Sequence, residues 1–88
     1  MDIDFILGED KHVRFLVHSS KNDEFTIHSA KYELYLDTAL EQSGDGTIDG
    51  HYIDVKLNPL TKSSLYKLII TYVIADETLK TQVRIEVR

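Results

Sequence analysis

Residues 65–74 read LYKLIITYVI, a run of apolar, β-branched and aromatic residues without glycine or proline and interrupted only by Lys67 and Thr71. Tyr66, Leu68, Ile70, Tyr72 and Ile74 share one parity, and Leu65, Ile69 and Val73 make the other parity apolar too. Period-2 patterning with both sides apolar belongs to a central strand, one face on the core and the other partly covered. The rest of the chain must then supply strands that flank or face this one.

It does so in sequence. Residues 2–7 alternate Ile3, Phe5 and Leu7 before a Gly8-Glu9-Asp10 turn, and residues 11–19 set Val13, Phe15 and Val17 against His12, Arg14, Leu16 and His18. A polar loop over residues 20–24 leads to a strand over residues 25–37, where Ala30, Tyr32, Leu34 and Leu36 oppose Ser29, Lys31, Glu33 and Tyr35. Helix competes over residues 30–42, since Glu, Leu, Ala and Lys are good helix formers. The clean alternation, the two tyrosines and Thr26-Ile27 favour strand. Asp37-Thr38 reads as a turn and residues 39–43 as a short return strand.

In the stretch SGDGTIDG, Asp45-Gly46 and Asp49-Gly50 each favour a tight turn with positive φ. Residues 52–57 then alternate Ile53, Val55 and Leu57 inward with Asp54 and Lys56 outward, until Asn58-Pro59 ends the ladder. After the central strand a hairpin turn is expected at Asp76-Glu77. The last strand, residues 79–87, places Leu79, Thr81, Val83, Ile85 and Val87 against Lys80, Gln82, Arg84 and Glu86. About seven strands with regularly spaced turns define an all-β fold, a single antiparallel β-sandwich over residues 1–88.

Size and charge narrow the function. Eighty-eight residues make one domain. A formal charge of −5 disfavours both a surface that tracks nucleic-acid phosphates and adsorption to anionic lipid. Another protein, or a neutral glycan, is the expected partner. The chain has no cysteine, so it has neither disulfides nor a thiolate nucleophile or ligand, which tilts towards a reducing compartment or an assembled particle. No segment approaches the ~20 apolar residues of a membrane helix, and the acidic start MDIDFILGED does not read as a signal peptide.

Motifs for chemistry are weak throughout. His12, His18, His28 and His51 show neither HxH nor HxxxH spacing, and six strand residues put His12 about 20 Å from His18. The acidic DGTIDG stretch lacks the ligand order and the distal glutamate of a calcium loop. No serine lies in G-x-S-x-G, no phosphate loop occurs, and most carboxylates fall at outward strand positions or in turns. The expectation is therefore no catalytic residue, no metal, no cofactor and no enzymatic activity.

Tyr32, Tyr35, Tyr52 and Tyr72 could supply an interface or a sugar-stacking surface, although such residues more often pack at a sandwich margin with the hydroxyl in water. Tyr35 is out of phase with its strand's apolar side and is the candidate protein-binding anchor. Tyr66 has a structural role on either of two readings. It is a core aromatic, or it forms the tyrosine corner of immunoglobulin-like sandwiches, in which a tyrosine bonds back to the backbone a few residues upstream.

The order of these features carries a resemblance. The turn Gly8-Glu9-Asp10 precedes HVRFLVH. An alternating strand with Ala30 and a short return strand follow, then Gly44 and the TIDG turn. Next come the strand ending in Leu57-Asn58-Pro59-Leu60, the entry to Tyr66, and the hairpin around IADET. So arranged, most of the chain resembles the immunoglobulin-like N-terminal domain of phage baseplate upper proteins and related phage tail modules. The resemblance implies a structural module that binds other virion proteins or itself, located in the virion or the cytoplasm of the host bacterium. A reading from a different class is an adhesin-like or carbohydrate-binding module that uses exposed tyrosines.

Overall fold

The structure is a computed structural model that describes residues 2–18 and 25–88, so the expected loop over residues 20–24 lies outside the described residues. Eight strands are formed among the described residues: β1 (Asp2–Phe5), β2 (Lys11–Leu16), β3 (Ile27–Leu36), β4 (Ala39–Asp45), β5 (Thr47–Asp49), β6 (Tyr52–Leu57), β7 (Ser63–Ile74) and β8 (Glu77–Val87). They make two sheets, one of five strands in the order β1-β8-β7-β3-β4 and one of three in the order β2-β6-β5. The fold is a β-sandwich. The predicted central strand is central, because β7 pairs antiparallel with β3 on one side and β8 on the other.

Alternation decides which side chains go inside. Val13 and Phe15 of β2 and Ile53, Val55 and Leu57 of β6 meet Leu34 of β3, Leu68 and Ile70 of β7, and Val83 and Ile85 of β8, all buried. Phe5 of β1 closes the end of this core at 1% exposure. Register is held by the same period, since a slip of one residue would turn these side chains to water. A bulge at His28 shifts the phase of β3, so that Ile27 and Ala30 both point inward.

Four expectations are corrected. The extra strand is β5, in the stretch read from sequence as paired turns. Asp45-Gly46 is not a hairpin turn: the chain leaves the five-stranded sheet after Asp45 and joins the three-stranded sheet at Thr47. Gly46 makes that crossing possible, with its N–H donating to the Ala30 carbonyl at 2.9 Å. A Cβ there would stand 2.9 Å from Ile53 Cγ2 and 3.3 Å from Ala30 Cβ. Gly50, by contrast, does take φ +61° in a turn.

The β7–β8 turn falls on Ala75-Asp76, one residue earlier than expected, because Ile74 pairs with Glu77. This places Ala75 at φ +54°. Finally, the sandwich is not wholly antiparallel, since β1 pairs parallel with β8, Asp2 through Phe5 opposite Arg84 through Val87.

Candidate interaction surface

The two outer faces of the sandwich differ in how their charges are compensated. On the three-stranded sheet, Arg14 stands opposite Asp54 in the β2–β6 register. The Arg14 guanidinium lies 3.1 Å from Asp49, 3.9 Å from Asp54 and 4.5 Å from the centre of the Tyr52 ring. His12 Nδ1 meets Asp54 at 2.5 Å, and Lys56 meets Asp10 at 3.5 Å. This face is laced with opposite charges.

The outer face of the five-stranded sheet is built differently. Its middle column is the second parity of β7, Leu65, Lys67, Ile69, Thr71 and Val73. The register sets Ser29, Lys31, Glu33 and Tyr35 of β3 on one side, with Thr78, Lys80, Gln82 and Arg84 of β8 on the other. Ile69 and Val73 are half-buried, while Leu65 and Leu40 are 60% and 52% exposed. Thr71 is buried although it points away from the core, which is what lysine stems on a sheet face produce when Lys31 and Lys80 flank it. Among the described residues, no carboxylate lies within 4 Å of the ammonium groups of Lys31, Lys67 or Lys80.

Tyr35 belongs to this face, between Lys67 of β7 and Leu40 of β4. It is half-buried rather than fully exposed, and its hydroxyl donates to Glu33 Oε2 at 3.1 Å. That bond to a carboxylate raises the Tyr35 pKa above the ordinary tyrosine range. The hydroxyl is thus tied to a residue of the same face two positions earlier on β3.

Tyr66 sits elsewhere, buried at the base of the sandwich. Its hydroxyl accepts from Thr61 N–H at 3.0 Å and donates to Glu41 Oε1 at 2.8 Å. Glu41 is the extra residue of a bulge in β4, between the pairs Leu34–Gln42 and Tyr35–Leu40. The next residue, Gln42, bonds through its side-chain amide to both the N–H and the carbonyl of Asn58. Edge strand β4 is thus tied to the β6–β7 link. Sequence reasoning missed both contacts, because Glu41 and Gln42 look like ordinary surface residues.

The histidines are dispersed. His12 is paired with Asp54, and His51 stacks on Phe25 with ring centres 4.0 Å apart. His28 lines a shallow depression beside that stack. Among the described residues, no group of three or more His, Asp or Glu side chains is placed to hold a metal ion.

A second surface feature is a groove of about 510 Å³ on the side of the sandwich between β2 and β8. Phe15, Val17, Ile53, Ile70, Tyr72 and Val83 line its apolar interior, and Arg14, Leu16, His18, Thr81 and Gln82 form its rim. No known protein family, curated protein or solved structure matches the chain.

Proposed function

We propose that the protein is a non-catalytic, immunoglobulin-like structural module that docks onto another protein through the outer face of its five-stranded sheet, as an assembly domain of a phage tail or baseplate. The observation that carries this reading is the contrast between the two faces. In a chain of net charge −5, the face around Ile69 and Val73 holds three lysines without a carboxylate partner among the described residues, whereas the opposite face is internally neutralised. An apolar centre flanked by Lys31, Lys67, Lys80 and Arg84, with Glu33 and Asp45 on its β3–β4 side, fits a protein surface with an apolar patch and carboxylates opposite the lysines, and charge pairing of that kind sets orientation and association rate. The same charges disfavour two copies meeting face to face. The immunoglobulin-like part of the reading is supported by the sheet orders and by the Tyr66–Thr61 bond, which has the form of a tyrosine corner. Fold alone would not imply the role.

The test is binding to the structural proteins encoded beside this gene, by calorimetry with purified partners. Binding that weakens with salt and drops at least tenfold in a Lys31→Glu, Lys67→Glu, Lys80→Glu variant supports the reading. No binding to any of them, with glycan-array binding that disappears in Tyr35→Ala, would replace it with a carbohydrate-binding module.

A further inference from the structure

The two sides of the sandwich are closed differently. On one side the chain itself passes between the sheets at Gly46, joining β4 to β5. On the other, β1 covers β8 only from Arg84 to Val87, so the segment from Glu77 to Val83 is an edge without a strand beside it among the described residues.

The direction of its main-chain groups follows from pairing. Ile74 and Glu77 close a two-residue hairpin, and bonding alternates along an antiparallel ladder, so Glu77, Leu79, Thr81 and Val83 bond to β7. Thr78, Lys80 and Gln82 then turn their N–H and carbonyl groups outward. The same parity continues at Arg88, whose N–H bonds to the Phe5 carbonyl and whose carbonyl takes Leu7 N–H. An edge row of this kind, beside the apolar groove formed by Phe15, Val17, Ile70 and Val83, is complementary to one chemistry, an extended polypeptide.

We propose that this open side accepts one extended segment of a partner protein. The segment pairs with β8 over Thr78 to Gln82, continuing the row that β1 begins, and lays alternate apolar side chains into the groove. The inference rests on the reading of the chain as a protein-docking module, but it concerns the adjoining β8 edge, which shares Lys80 with the sheet face. Among the described residues, no carboxylate lines the groove. The outward positions of the incoming strand, next to Lys80, therefore suit acidic residues. A second copy is a poor donor, because antiparallel β8–β8 pairing centred on the free segment sets Lys80 directly opposite Lys80.

The test uses a library of random 12-residue peptides displayed on phage, selected on the intact protein, with the enriched peptide then measured by fluorescence anisotropy. The expected winners alternate apolar and acidic residues and bind wild type. Lys80→Pro, which removes an outward N–H without touching the β7 ladder, should weaken binding at least tenfold while leaving the circular dichroism spectrum intact. Thr81→Trp, which fills the groove, should do the same. Lys31→Gln and Lys67→Gln, which alter the sheet face without touching the β8 edge, should weaken peptide binding far less than Lys80→Pro. A library without enrichment, or peptides indifferent to both Lys80→Pro and Thr81→Trp, would overturn the proposal. So would a dimer in sedimentation velocity that Lys80→Pro disperses, because the acceptor edge would then serve a second copy.

Discussion

Glu41 Oε1 accepts a hydrogen bond from the Tyr66 hydroxyl at 2.8 Å, and the same hydroxyl accepts one from Thr61 N–H at 3.0 Å. One phenol thus joins an edge strand, the link between the sheets and the central strand. Among the described residues Glu41 Oε2 is buried without a partner, so the carboxylate leans on its bond to Tyr66. Tyr66→Phe is expected to lower unfolding free energy by about 1 kcal/mol, the net worth of a hydrogen bond, with more if the Glu41 carboxylate is left stranded. A double-mutant cycle with Glu41→Ala, read by urea denaturation, should show coupling of about 1 kcal/mol. Additive effects would mean that the two groups do not share one interaction.

Tyr66 has its pKa raised, first by burial and then by its bond to Glu41. A group whose folded pKa is raised contributes stability that is intact below the unfolded value and lost as pH climbs through the folded one. The protein should therefore lose stability above pH ~10, where unfolded tyrosines ionise, and Tyr66→Phe should flatten that loss. Absorbance titration at alkaline pH should show a late-ionising component that Tyr66→Phe reduces.

Gly46→Ala is expected to cost about 1–3 kcal/mol, because the added methyl would be driven into Ile53 and Ala30, both buried. Gly50→Ala meets no atom within 4 Å and carries only the strain of φ +61°, about 1 kcal/mol. Gly50→Asn should cost less, whereas Gly46→Asn should cost more than Gly46→Ala. Thermal unfolding of the four variants distinguishes a packing constraint from a backbone one.

Ala75→Gly should stabilise the protein. Alanine at φ +54° bears left-handed strain of about 1–2 kcal/mol, and glycine relieves it at a smaller cost in chain entropy. The expected net gain is about 0.5 kcal/mol, visible as a higher Tm. An unchanged or lower Tm would show that the β7–β8 turn is unstrained.

Glu9 caps the turn after β1, accepting Ile6 N–H at 2.5 Å, and that bond, helped by the Lys11 ammonium 3.4 Å away, holds its pKa below the usual glutamate value. Its contribution is present above the unfolded pKa of about 4.3 and fades as pH falls through the folded one. Carboxyl NMR should give Glu9 a titration midpoint below the usual glutamate value.

Most of the strand framework was legible because alternation is a local signal. Val13-Phe15, Ile53-Val55-Leu57 and Val83-Ile85-Val87 declare their buried side within one strand, and Asn58-Pro59 declares a stop. What depended on pairing did not show. Glu41 turns inward only because β4 bulges against Leu34 and Tyr35, and position 46 demands glycine only because Ile53 and Ala30 crowd the crossing between the sheets. The lysine-rimmed face was hidden for the same reason: Lys31, Lys67 and Lys80 are far apart in sequence and become neighbours only through the β3–β7–β8 register. Tyr35 was correctly set apart from the core parity, but its bond to Glu33 is a matter of rotamer and not of pattern.

The parallel pairing of β1 with β8 has a mechanical consequence. Asp2 leads β1 and Val87 ends β8, so tension applied at the two ends of the chain pulls these strands past each other along their length. The hydrogen bonds between Asp2–Phe5 and Arg84–Val87 are then loaded together in shear, where peeling an antiparallel pair would break them one after another. A force-bearing position in a larger assembly would meet its first resistance at this short clamp.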